Sequence, residues 1–146
     1  MAEGIARMLI RERYPRSGIT VSSAGLAVCP GFPASKYAID VCRELGVDLS
    51  AHRARYIDPE VLWNTDLFVA MSSYHAEALL IHGVPNRRIL ILGGGVPDPC
   101  DGDESDYRFA RNLIYLFLEM LLRELTYEKH CLTEMWRLEP KYRLFR

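Results

Sequence analysis

Asp98 stands between two prolines in Val96-Pro97-Asp98-Pro99, ahead of an acidic, polar stretch from Cys100 to Asp106. Each proline fixes its own φ and pushes the residue before it into extended geometry. A carboxylate on so stiff a loop is suited to deliver a proton at a set place, as general acid catalysis requires. The same residues also describe a Pro-rich turn with a solvated acid, since Asp and Pro are common in turns. Read alone, Ser23, in Ser22-Ser23-Ala24-Gly25, is as readily a strand-end serine capping a turn, and His52, in Ser50-Ala51-His52-Arg53, is a polar surface residue.

The elements that must position these residues alternate. Ala2 to Arg13 has helical spacing at Ile5, Met8, Leu9 and Glu12 and ends near Pro15. Ile19 to Ser22 reads as a short strand. Ala34 to Leu45 reads as a helix with Ala38, Val41, Cys42 and Leu45 on one stripe, stopped by Gly46. Asp58-Pro59 is a helix start, with Asp as N-cap and Pro in the first turn. Leu67 to Met71 and Arg88 to Leu92 are apolar strands, separated by a helix from Ser73 to His82. A last helix runs from Asp103 to about Tyr127. Its expected core face is Phe109, Leu113, Leu116, Phe117, Met120 and Leu121. Strands alternating with helices predict an α/β fold, a doubly wound parallel sheet with helices on both faces. Ligands bind such sheets beyond the carboxyl ends of the strands. Ser23, Met71 and Asp98 each follow a strand, so they are expected on one rim.

The order of pieces resembles the low-molecular-weight protein tyrosine phosphatase family. Met1-Ala2-Glu3-Gly4 opens a helix, and Ser22-Ser23-Ala24-Gly25 follows a strand. Gly46 to Arg55, Asp66 to Met71, the Asp98-Pro99 loop and the long last helix come after. The resemblance covers Met1 to about Leu125, which sets the expected domain at 1–125 and a C-terminal extension at 126–146. It implies that Asp98 is the general acid of a phosphatase working through a phosphocysteine. It further implies that Ser23 and His52 support the phosphate-binding loop, and that no metal or other cofactor is used. The expected substrate is a phosphorylated protein or a small phosphomonoester. Phosphotyrosine and phosphoarginine both remain open, because Cys100 and Asp101 stand where the family commonly has aromatic residues after the Asp-Pro pair.

One part of the family pattern is not in these residues. The family's first strand leads into a Cys-x5-Arg loop immediately ahead of Met-Ala-Glu. Here only Cys131 to Arg137 has that spacing, and its interior, Leu132-Thr133-Glu134-Met135-Trp136, is bulky and acidic where a phosphate loop needs small residues. The 146 residues are therefore expected to be inactive by themselves. The expectation is a further N-terminal strand and loop in the natural chain, with a non-catalytic binding module of the same fold as the alternative. Arsenate reductase is a weaker match, because Ala70 to His75 lacks the cysteine that class needs after its strand.

Composition limits the rest. A formal net charge of −1 gives no electrostatic case for nucleic acid. No apolar run is long enough to span a bilayer. Four scattered cysteines without a Cys-x-x-Cys pair suit a reduced, cytoplasmic protein. Gly93-Gly94-Gly95 lacks the Lys-Ser/Thr ending of a nucleotide loop and is expected to be a connector into the acid loop. In the tail, Trp136, Leu138, Tyr142, Leu144 and Phe145 alternate with basic residues, and docking on the chain's own domain is the expectation.

Overall fold

The computed structural model describes residues 1–131, with side chains as far as Tyr127. The tail residues Trp136 to Phe145 and the interior of Cys131–Arg137 lie outside the described residues. The elements are α1 (Ala2–Arg13), α2 (Lys36–Arg43), α3 (Pro59–Asn64), β1 (Phe68–Ala70), α4 (Ser73–Ile81), β2 (Ile89–Ile91) and α5 (Glu104–Cys131). Short 3-10 turns flank β2 at Asn86–Arg88 and Leu92–Gly94.

The helix starts form as their side chains dictate, and the one expected at Asp58-Pro59 is among them. Asp58 accepts a hydrogen bond from the Val61 amide at 2.8 Å, with Pro59 in the first turn of α3. Ser35 and Ser72 cap α2 and α4 in the same way. In each case the side-chain oxygen takes one of the amides that a helix start leaves unpaired.

β1 and β2 pair in parallel, Phe68 against Ile89 and Ala70 against Ile91. They cross over through α4, as the alternation predicts, and the chain has the α/β architecture expected of it. The expected strand at Ile19–Ser22 does not form. Residues 19–22 make no ladder among the described residues, and a strand is defined by its backbone partner, which apolar composition cannot supply. The backbone instead pairs just after it. The Gly25 amide donates to Arg55 O at 2.9 Å and the Ile57 amide to Gly25 O at 3.1 Å.

α1 and α2 pack against α5. Ile5, Leu9, Val41 and Cys42 are fully buried there, together with Ala110, Ile114, Leu118 and Leu122 of α5. The expected core face of α5 is thus wrong in part. Phe109, Leu116 and Met120 are exposed, while Leu113, Phe117 and Leu121 lie along the border. α5 is apolar on two opposite faces. The face carrying small Ala110 lets α1 and α2 approach closely, and Tyr107 on that face meets the ring of Tyr37 at 5.6 Å between centroids.

One ion-pair network ties α2 to α5. The Arg108 guanidinium donates to Glu44 Oε1 at 2.6 Å, and buried Arg111 donates to Glu44 Oε2 at 2.6 Å and to Val41 O at 2.7 Å. Hydrogen bonds first from Arg108 and then from Arg111 hold the Glu44 carboxyl at about 2, below its ordinary value of 4.5. A depressed carboxyl stabilises the fold above its unfolded value and loses that contribution as pH falls through the folded one. Stability is therefore expected to decline between pH 4.5 and about 2. Glu44→Gln should flatten the urea midpoint across that window, and an unchanged slope would remove Glu44 as its source.

Candidate active site

The acid loop leaves β2 through Gly93, Gly94 and Gly95, all at positive φ (58°, 79° and 133°). Left-handed backbone is why glycines stand here. At Gly93 there is a second reason: a Cβ would lie 2.2 Å from the Phe117 ring. The turn delivers buried Val96, whose amide donates to Met71 O at 2.8 Å. That bond ties the loop to the residue just past the carboxyl end of β1. Asp98 comes two residues later, exposed, with Oδ1 accepting from the Cys100 amide at 3.1 Å. Oδ2 accepts no hydrogen bond among the described residues. The sequence expectation of a Pro-braced, positioned carboxylate therefore has a geometry: one oxygen holds the turn and the other is available.

A depression of about 260 Å³ opens beside it, walled by Pro97 to Gly102 with Asp106 and Phe109. Three carboxylates, Asp98, Asp101 and Asp106, face it. Such a wall repels an anion and attracts a cation. Tyr107, in the first turn of α5, is buried against α2 and does not line the depression.

Ser23 sits elsewhere, at the amino end of α1. Its hydroxyl donates to Glu3 Oε2 at 2.5 Å, and its carbonyl accepts from Arg55 Nε at 2.6 Å. The other Glu3 oxygen pairs with Arg7 at 2.7 Å. α1 opens at Met1 with no side-chain cap, so its first amides take no side-chain partner there. Free helix-start amides attract anions. His52 is half-buried, with its amide bonded to Leu49 O at 3.0 Å and its ring unbonded among the described residues. Neither Ser23 nor His52 lines the depression at Asp98. The two groups border one core: Met1, Ala2, Val21 and Met71 all pack on the cluster that holds Val96. Glu3 and Arg55 are the residues that sequence reasoning undervalued. The bond of Arg55 to Ser23, 32 positions away, leaves no local signal.

His75 lies in the first turn of α4, with Nδ1 3.0 Å from the Ser72 hydroxyl, a structural role at the helix cap. Among the described residues no group of three His, Cys, Asp or Glu side chains is arranged to hold a metal ion, and no helix is long and apolar enough to cross a membrane.

The family model for low molecular weight phosphotyrosine protein phosphatases matches residues 1–131. The chain belongs to this family. It is 39% identical over 101 residues to the low molecular weight protein-tyrosine-phosphatase Etp of Escherichia coli, covering 65% of this chain and 67% of that protein. It is 34% identical over 75 residues to the probable phosphatase EpsP of Ralstonia nicotianae, 51% of this chain and 50% of that one. The aligned part thus spans about half the length of that relative. The protein-arginine-phosphatase of Geobacillus stearothermophilus is 28% identical over 134 residues, 85% of this chain and 87% of that protein. Among solved structures, the low molecular weight protein tyrosine phosphatase of T. tengcongensis superposes with a TM-score of 0.78 at 28% identity, covering 84% of this chain and 88% of that one. The arginine phosphatase YwlE of Geobacillus stearothermophilus superposes with a TM-score of 0.79 at 24% identity, covering 88% and 85%, a likeness of fold.

Proposed function

We propose that these residues form the proton-handling half of a protein phosphatase pocket that works through a phosphocysteine. The observation that carries this is the placement of Asp98. The Val96–Met71 bond holds its loop at the carboxyl end of the parallel pair, where ligands bind in this class of sheet. A cysteine thiolate attacks phosphorus, the bond from phosphorus to the leaving atom breaks, and Asp98 gives that atom a proton. Asp98 as carboxylate then takes a proton from the water that attacks phosphorus, and the S–P bond breaks to release phosphate. Ser23, at the amino end of α1, and His52 support the phosphate loop, and the helix-start amides of α1 add to its anion affinity.

The cysteine and its arginine belong to a Cys-x5-Arg segment that the 146 residues do not offer in usable form. The acidic wall of the depression, with Cys100 and Asp101 in place of aromatic residues, favours a leaving group that is cationic once protonated. Phosphoarginine is accordingly the preferred substrate, with phosphotyrosine second.

The test is hydrolysis of p-nitrophenyl phosphate by the 146-residue chain and by a version carrying a strand and Cys-x5-Arg loop ahead of Met1. No turnover is expected from the first and turnover from the second. Turnover by the 146-residue chain would place the nucleophile elsewhere. Silence in both would support a binding module of the same fold. In the loop-bearing protein, kcat/KM for phosphoarginine peptides should exceed that for phosphotyrosine peptides, and the reverse order would remove the substrate assignment.

A further inference from the structure

The outer face of α5 carries a seam that the described residues leave uncovered. Phe109, Leu113, Leu116, Met120, Arg123 and Tyr127 are separated alternately by four and three residues. That is the spacing of the a and d positions of a coiled coil. Four of them are strongly exposed: Phe109 at 57%, Leu116 at 50%, Met120 at 45% and Tyr127 at 77%. The seam lies opposite Ala110, Ile114, Leu118 and Leu122, which α1 and α2 cover. Its apolar area is on the order of 400 Å², the scale at which an exposed patch marks a contact.

We propose that the occupant of this seam is α5 of a second copy of this chain, running antiparallel. The charges in the seam select both partner and direction. Asp106 is one heptad before Leu113, at the same seam position, and Arg123 is one heptad after Leu116. Neither makes an ion pair among the described residues; Asp106 only accepts from the Asp103 amide at 2.9 Å. A parallel pair in register would stack Asp106 on Asp106 and Arg123 on Arg123. One antiparallel register sets Leu113 against Leu116 of the second copy, Phe109 against Met120 and Asp106 against Arg123, and its two-fold symmetry repeats each contact. Shifting that register by one heptad in either direction sets Arg123 against Leu113, or Asp106 against Leu116, and leaves a charge on an apolar partner. A polar layer of this kind specifies register in coiled coils. Together the two copies and their flanks would bury on the order of 1,000 Å², at the lower edge of specific interfaces.

Sedimentation equilibrium of the full chain tests this, and a reversible dimer is expected at micromolar concentration. Leu116→Lys should weaken it by roughly tenfold or more, with the helical circular dichroism unchanged because Leu116 is outside the core. Arg123→Asp should also weaken it, and adding Asp106→Arg should restore it. A Phe109→Cys/Met120→Cys variant should form disulfide-linked dimers that neither single variant forms. The proposal is overturned by a chain that is monomeric at high concentration, by a dimer indifferent to Leu116→Lys and to the charge swap, or by cross-linking of Phe109→Cys to itself. A monomer in which Met120→Cys is shielded from maleimide would assign the seam to residues 132–146 of the same chain, which also overturns it.

Discussion

Asp98→Asn in the loop-bearing protein is expected to lower kcat for aryl phosphates by roughly 10²–10⁴-fold. Asparagine keeps the shape of the side chain and an oxygen for the Cys100 amide, so the turn between the prolines should persist. It cannot give up a proton to the leaving oxygen or take one from water. The loss should therefore depend on the leaving group. A good leaving group such as p-nitrophenolate departs with little help, whereas phenolate needs the proton. Measured across a series of substituted phenyl phosphates, the deficit should grow as the leaving phenol becomes more basic. A deficit in kcat/KM, which reports only the steps up to departure of the leaving group, that was equal for every substrate would mean that the substitution had disturbed the pocket, and Asp98 would lose its role as the acid. The structural reason to expect the large effect is the bond from Val96 to Met71, which holds the loop two residues before Asp98.

Leu9→Ala is expected to destabilise the fold by about 2–5 kcal/mol, and Phe109→Ala by no more than about 0.5 kcal/mol. Leu9 is fully buried in the cluster that α1, α2 and α5 share, and truncating it leaves a void lined by side chains that cannot collapse into it. Phe109 is larger, yet more than half of it faces solvent. Urea denaturation of dilute protein gives both values from the shift in midpoint at constant slope. The comparison discriminates sharply, because helical pattern alone puts Phe109 in the core. A loss at Phe109 comparable to that at Leu9 would mean that α5 buries the face assigned here to solvent. A loss below about 1 kcal/mol at Leu9 would mean that α1 contributes little to the core.

Much of the fold follows from local chemistry. Asp58-Pro59, Ser35 and Ser72 start helices because a short side-chain oxygen satisfies an amide of the first turn, a contact made within three residues. The alternation of apolar strands with helices is likewise local, and it led to a parallel pair joined by a helix. The stiff setting of Asp98 is also written in sequence, since both prolines act on adjacent bonds. Family membership, read from the order of motifs between Met1 and Leu125, agrees with the match over residues 1–131.

Other features needed the packed chain. Ile19 to Ser22 has strand-like composition, but backbone pairing depends on a neighbour that the segment does not find among the described residues. α5 has two apolar faces at helical period, and only the arrival of α1 and α2 on the Ala110 side decided which became core. The partners of Ser23, namely Glu3 and Arg55, lie 20 and 32 positions away along the chain. Residue types and short spacings determined the caps, the turns and the Pro-flanked loop that carries Asp98, because those depend on energies within a few bonds. Which face was buried, which strand was paired and which side chain met Ser23 were decided by tertiary contacts, because those energies exist only once distant segments have come together.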